Sequence, residues 1–351
     1  MDTLSMEIAL LPLVWPLLLI GLFLLAVPDL MRPGLFFGVT VDPQFRQSQL
    51  GRGIRRRYSI AIGIATVIAI AVAVTAALAA AGAAWAPTQL SWALPLLVAV
   101  GAFAWANRAT RPHAAQRASV VQVELSMKPE PTAAVAVAFA VPIASLAALG
   151  AWVAHHWGDI PSRLAVHWSF VGLDRWVATT PVSVATLLVV DTVICLLLAL
   201  LAWGVFHGSR RVATSGEAAQ QERRFRMRIV ILLLIAAYWV VFPAWGSLLG
   251  FSAAAMRLWS FIWPMTMLAL LARLLLAGQG GSRGVTPDSG APLGDRADDR
   301  YWVWGLIYFN RGDPAFLVEK RFGVGYTFNF AHPFAWAMLA VIAAITLATW
   351  H

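Results

Sequence analysis

Apolar positions along this chain come in long, nearly uninterrupted runs, without the narrow stripe that marks a helix with one face in water. A hydrocarbon core of about 30 Å needs about 20 apolar residues in a helix. Eight runs meet or approach that length: residues 8–27, 59–82, 88–106, 132–154, 182–206, 229–249, 254–277 and 333–350. They predict an all-α fold, a polytopic transmembrane helical bundle of about eight spans, with a short cytoplasmic hairpin-like module before the last span. The first run carries Asp2 and Glu7 where a signal peptide would be basic, so it reads as a retained span. The connections at 83–87 and 250–253 are short and uncharged and predict tight helical hairpins.

Punctuation between the runs divides the chain into five parts. Residues 1–131 form an N-terminal three-span region with basic loops, and 132–206 a two-span unit with a polar-aromatic outer loop. A two-span hairpin follows at 207–277, then a linker at 278–300 rich in Gly, Ser, Pro and Asp. The remainder, 301–351, is an aromatic and basic module joined to the last span.

Composition agrees with this reading. The chain is 60% hydrophobic and 12% charged, whereas soluble domains are about a quarter charged, which excludes a water-soluble globular protein. The net charge of +9 is a topology signal, because 22 of the 26 basic residues fall in four alternate connections. Arg52, Arg55, Arg56 and Arg57 lie in the first, Arg108 and Arg111 in the second, Arg223 and Arg226 in the third, and Lys320 and Arg321 in the fourth. The positive-inside rule makes these segments cytoplasmic and places both termini outside. Tryptophans near the span ends, among them Trp245 and Trp259 at the outer boundary and Trp203, Trp302 and Trp336 at the inner one, fit the water interface. The single cysteine, Cys195, lies inside an apolar run and reads as a packing residue.

Three places carry candidate chemistry. The outer loop from His155 to Pro181 holds His155, His156 and His167 near Asp159 and Asp174, but in no established metal-ligand spacing, so no metal is expected. Its Gly-Leu-Asp-Arg run at 172–175 reads as a turn, with Asp174 and Arg175 flanked by Trp168 and Trp176. Asp191 is the one carboxylate deep in a span. An ionised carboxylate there costs on the order of 2.5–3.5 kcal/mol, so Asp191 is expected to be protonated, paired or facing a wet cavity. Arg257 and Tyr238 are its candidate partners. A proton relay and an interhelical packing bond both fit Asp191.

The third place is the segment from Asp298 to Pro333, where alternating aromatics, a turn at Asn310–Pro314 and the pair Lys320–Arg321 suggest a compact hairpin at the inner surface. Its candidate functional residues are Asn310, Asp313, Lys320, Arg321, Gly323, Gly325 and Asn329, with Lys320 and Arg321 meeting anionic lipid headgroups. No Walker, HExxH or GxSxG motif occurs, so nothing supports an enzyme, and no cofactor or nucleic-acid partner is expected.

Two stretches resemble known families. IPSRLAVHWSFVGLDRW, Ile160 to Trp176, resembles the bacterial membrane family of domain of unknown function DUF1648, and WGLIYFNRGDPAFLVEKRFGVGYTFNF, Trp304 to Phe330, is similar to the module DUF5808. The first family includes the Sdp immunity protein, so the resemblance implies a sensor or protective role in a bacterial cytoplasmic membrane. The resulting expectation is a non-enzymatic sensor or immunity-type protein that binds an extracytoplasmic peptide or small molecule through His167, Trp168, Asp174, Arg175 and Trp176. A proton-coupled transporter using Asp191 is the alternative, and an intramembrane enzyme a second one.

Overall fold

The computed structural model describes residues 3–31, 34–79, 85–115, 132–169, 172–207, 216–278, 298–321 and 324–349. Eight α-helices lie among them: α1 (Thr3–Ala26), α2 (Gln49–Ala79), α3 (Trp85–Thr110), α4 (Thr132–His155), α5 (Pro181–His207), α6 (Gly216–Leu248), α7 (Ala253–Ala277) and α8 (Pro333–Thr349). The protein is an all-α polytopic bundle. Helices α2 to α7 are each long and apolar enough to cross a membrane, and α1 and α8 supply the shorter apolar stretches Val14–Ala26 and Pro333–Leu347.

Two helices extend well beyond the apolar runs that predicted them. Helix α2 starts at Gln49 and α6 at Gly216, because the flanking Arg, Gln, Glu and Ala are good helix formers and simply continue the ladder. In α6 this extension is supported by Glu222 and Arg226, buried one turn apart with 3.8 Å between their charged atoms.

Among the described residues the strands form antiparallel pairs: β1 (Leu35–Phe36) with β2 (Val39–Thr40), β3 (Arg163–Ser169) with β4 (Gly172–Ala178), β5 (Trp302–Val303) with β6 (Ile307–Tyr308), and β7 (Leu317–Glu319) with β8 (Tyr326–Phe328). The single hairpin expected in Asp298–Pro333 is therefore two. The Gly-Leu-Asp-Arg run is not a turn: it opens β4, and Asp174 and Arg175 are strand residues. Pairing of Leu164 with Val177 and Ala165 with Trp176 outweighs the local turn preference of Gly and Asp.

By contacts the chain divides into two compact units. The first comprises Met1–Val120, Gly294–Phe309 and Lys320–Gly323, and the second Val121–Leu293, Asn310–Glu319 and Val324–His351. In the first unit α1, α2 and α3 pack together, and the β1–β2 hairpin plugs one end of them. Phe37, fully buried at the hairpin tip, meets Tyr58 of α2 at 5.1 Å and Phe103 of α3 at 5.5 Å between ring centres. The Tyr58 hydroxyl donates to the Leu24 carbonyl at 2.9 Å, tying α2 to α1.

The second unit is built on α5 and α6, with α4 and α7 beside them. Small residues set the approach. Cys195 is fully buried with its Sγ 3.6 Å from the Ala237 carbonyl, and a Cβ added to Gly150 of α4 would meet Leu188 of α5 at 3.3 Å.

Candidate functional site

The β3–β4 hairpin fills the connection between α4 and α5, and its seat is specific. Leu164 is fully buried, and Ser247, near the end of α6, donates to the Ala165 carbonyl at 2.6 Å. At the base the Thr179 N–H reaches the Ser162 carbonyl at 3.1 Å, and Ser183 donates to the Ala178 carbonyl at 2.9 Å. Thr180 and Ser183 then cap α5 reciprocally. The Ser183 N–H donates to Thr180 Oγ1 at 3.1 Å and the Thr180 N–H to Ser183 Oγ at 2.9 Å, with Pro181 at the first helical position where no donor is needed. The hairpin is thus fixed to two helix ends.

Away from this seat the hairpin is open. Trp176 is 54% exposed, Val166 is exposed at a bulge in β3, and Arg163 and Arg175 are exposed. Of the five residues expected to recognise a ligand, His167 pairs in register with Arg175, and Trp168 with Leu173, while Asp174 lies between. The side chains of His167, Trp168 and Asp174 lie outside the described residues. Nearby, the His156 ring stacks on Trp152 at 4.8 Å with Nδ1 3.0 Å from the Trp152 carbonyl. Among the described residues no three His, Cys, Asp or Glu side chains converge on a metal position.

Asp191 lies on the buried face of α5, one turn before Cys195. Its Oδ2 is fully buried without a hydrogen-bond partner among the described residues, and neither expected partner reaches it. Tyr238 donates to the Ala138 carbonyl at 3.3 Å instead, and Arg257 is exposed on α7. The cause is helix rotation: Cys195 shows that this side of α5 faces the Ala237 side of α6, whereas Arg257 points away from the bundle. A separate groove of about 250 Å³ runs between α4 and α5, lined by Val135, Phe139, Ile143, Ala199, Trp203 and Phe206 among others, and Asp191 is not part of its lining.

The residues expected to form an inner functional module serve its architecture. In the second unit, Asn329 is 1% exposed and donates to the carbonyls of Asn310 at 2.9 Å and Asp313 at 3.0 Å. Its Oδ1 accepts from the N–H groups of Asn310 and Ala331 at 3.1 and 3.2 Å. Asn310 and Asp313 in turn cap the intervening turn through Gly312 and Ala315. Phe316 then lies against Trp203 of α5 and Phe334 of α8, in a space cleared by Gly204, where a Cβ would collide with the Phe316 ring. Gly325, with φ +104°, permits the approach to β8.

In the first unit, Arg321 is not at a lipid headgroup. It is buried, pairs with Asp299, donates to the Gly38 carbonyl at 2.7 Å and lies over the Trp302 ring at 5.1 Å. Burial pulls its pKa below the ordinary arginine value and the Asp299 carboxylate opposes that shift, leaving a charged guanidinium. Asp299 also accepts from the N–H and hydroxyl of Thr40, each at 3.1 Å. Arg111 holds the Trp302 carbonyl at 3.2 Å, and Trp302 is itself buried, so it is a core residue and not an interface anchor. Lys320 is exposed, and Gly323 lies outside the described residues. The Thr40–Asp299–Arg321 network was missed in the sequence, although the apolar run Gly34–Val41 inside a basic loop and the acidic pair Asp298–Asp299 carried a signal for it.

Fold and site together define an integral-membrane helical bundle with small strand-built elements at its helix ends. Residues 311–336 of the chain match the model of a family of unknown function, DUF5808. No curated protein and no solved structure matches the chain.

Proposed function

We propose that this protein is a non-enzymatic sensor or immunity-type protein of a bacterial cytoplasmic membrane, and that its β3–β4 hairpin binds a peptide or small molecule outside the cell. The observation that carries the reading is the hairpin itself: rigidly seated by Leu164 and Ser247, it holds Trp176 and Val166 exposed on a connection poor in basic residues. A fixed scaffold presenting an amphipathic aromatic side chain is what recognition of a partly apolar ligand requires. The resemblance of Ile160–Trp176 to DUF1648 adds the precedent of immunity.

The orientation follows from charge and is supported by contact. Thr40 touches Asp299, so both lie on one side, and the described helices between them, α2 to α7, are six, each long and apolar enough to cross. An even number of crossings returns the chain to the same side. The basic residues of these segments make that side cytoplasmic, which leaves β3–β4 outside. The test is complementation of a deletion strain with Arg175→Ala/Trp176→Ala. Loss of resistance to the cognate toxic peptide, or of the induced reporter response, at unchanged protein level is the expected result; full complementation would remove the reading.

A second reading, proton-coupled transport, is favoured by the unpartnered Oδ2 of Asp191. It requires that Asp191→Asn abolish proton flux in proteoliposomes. Equal flux in both proteins would dismiss it.

A further inference from the structure

Helix α2 carries arginines at 52, 55, 56 and 57, in its first turns. Two of them are already engaged within the first unit, Arg52 with the Gln47 carbonyl and Arg55 with Asp29 at 2.5 Å. Arg56 and Arg57 are exposed, and neither has a hydrogen-bond or ion-pair partner among the described residues. Below them Ile60, Ile64, Val67 and Ile68 are 49%, 56%, 66% and 47% exposed, an apolar strip left largely open by the described residues.

These two features share one face. At about 100° per residue, Arg56 and Arg57 straddle the line on which Ile60, Ile64, Val67 and Ile68 lie. The opposite face, with Ile54, Tyr58 and Ile62, is buried in the unit. Length sets the depth: α2 has 31 residues, so it is about 46 Å long and exceeds a hydrocarbon core of about 30 Å. With the apolar strip inside that core, Arg56 and Arg57 stand within about one turn of its edge, at the level of the phosphates.

We infer that this face of α2 binds an anionic phospholipid, with the phosphate between the Arg56 and Arg57 guanidinium groups and an acyl chain along Ile60, Ile64, Val67 and Ile68. Two guanidinium groups without internal partners supply charge complementarity, and the strip beneath them supplies the apolar contact that a free phosphate would not use. The site does not depend on what the β3–β4 hairpin recognises.

The test is native mass spectrometry of the full-length purified protein in detergent, supplied with phosphatidylglycerol, phosphatidylcholine or inorganic phosphate. The wild type should retain phosphatidylglycerol in preference to phosphatidylcholine. Arg56→Gln/Arg57→Gln should lower phosphatidylglycerol retention by about twenty-fivefold, two contacts each worth a factor of about five. Arg56→Lys/Arg57→Lys should keep most of the preference, and Arg257→Gln, an isolated exposed arginine on α7, all of it. The single variants Arg56→Gln and Arg57→Gln cover a double variant that does not fold. Equal retention of the two lipids by the wild type, an undiminished preference in both single variants and the double one, or complete displacement by inorganic phosphate at equal concentration would each overturn the assignment.

Discussion

Asp191 and Arg321 are both ionisable and both buried, yet their surroundings give them opposite energetics. Arg321 is compensated by Asp299, the Gly38 carbonyl and the Trp302 ring. Its removal would leave Asp299 in a poorly solvated site, so Arg321→Ala should cost roughly 3–5 kcal/mol, read as a lowered thermal midpoint in detergent. Asp191 leaves an acceptor unmet, which costs about 1–3 kcal/mol, so Asp191→Leu should keep or raise the thermal midpoint. A large drop would reveal a partner that α5 holds by other means. The sequence made Asp191 conspicuous as a lone carboxylate in an apolar run, but not that Tyr238 and Arg257 would miss it, because a run that is apolar all round does not specify which face turns toward which neighbour. Arg321 was read as a headgroup contact because its partners are distant in sequence: Gly38 is 283 residues away.

Among the elements, the helices that cross were legible because a span of about 20 apolar residues has few other solutions. The short strands were not. β1–β2 has only two residues per strand and depends on Gly38, whose φ of +74° and contact with Gly305 leave no room for a side chain. A Cβ at Gly38 would lie 2.6 Å from Gly305 Cα, and backbone cannot yield as a flexible side chain can. Gly38→Ala should therefore loosen β5–β6 from this hairpin, and hydrogen exchange at Trp302–Tyr308 should speed up while α2 and α3 stay protected. The β3–β4 hairpin was not legible: Leu164, Ala165 and Val166 run together without the alternation of a half-buried strand, and Gly172 and Asp174 drew attention as turn residues while cross-strand pairing claimed them. Ser247→Ala removes the bond to Ala165 and should cost about 1 kcal/mol, with exchange increased in β3 and unchanged in β7–β8.

For the whole molecule, alternation of basic and neutral connections predicts that the segments around Thr40 and Asp299 share a side; within the first unit Thr40 donates to the Asp299 carboxylate. Within the second unit, the β3–β4 hairpin lies at the Pro181 end of α5, while Phe316 beside β7 lies against Trp203 near its other end. Helix α5 has 27 residues and is about 40 Å long, more than the thickness of a hydrocarbon core. The proposed role requires these two ends to face different compartments, with the hairpin outside. Cysteine accessibility tests this directly, since the only native cysteine, Cys195, is buried and can be replaced by serine. In that background, Arg163→Cys in β3 and Arg311→Cys in the inner module are each exposed to a membrane-impermeant maleimide. Position 163 should label in intact cells and position 311 only after the membrane is permeabilised; the reverse pattern, or equal labelling of both in intact cells, would contradict an outward-facing hairpin.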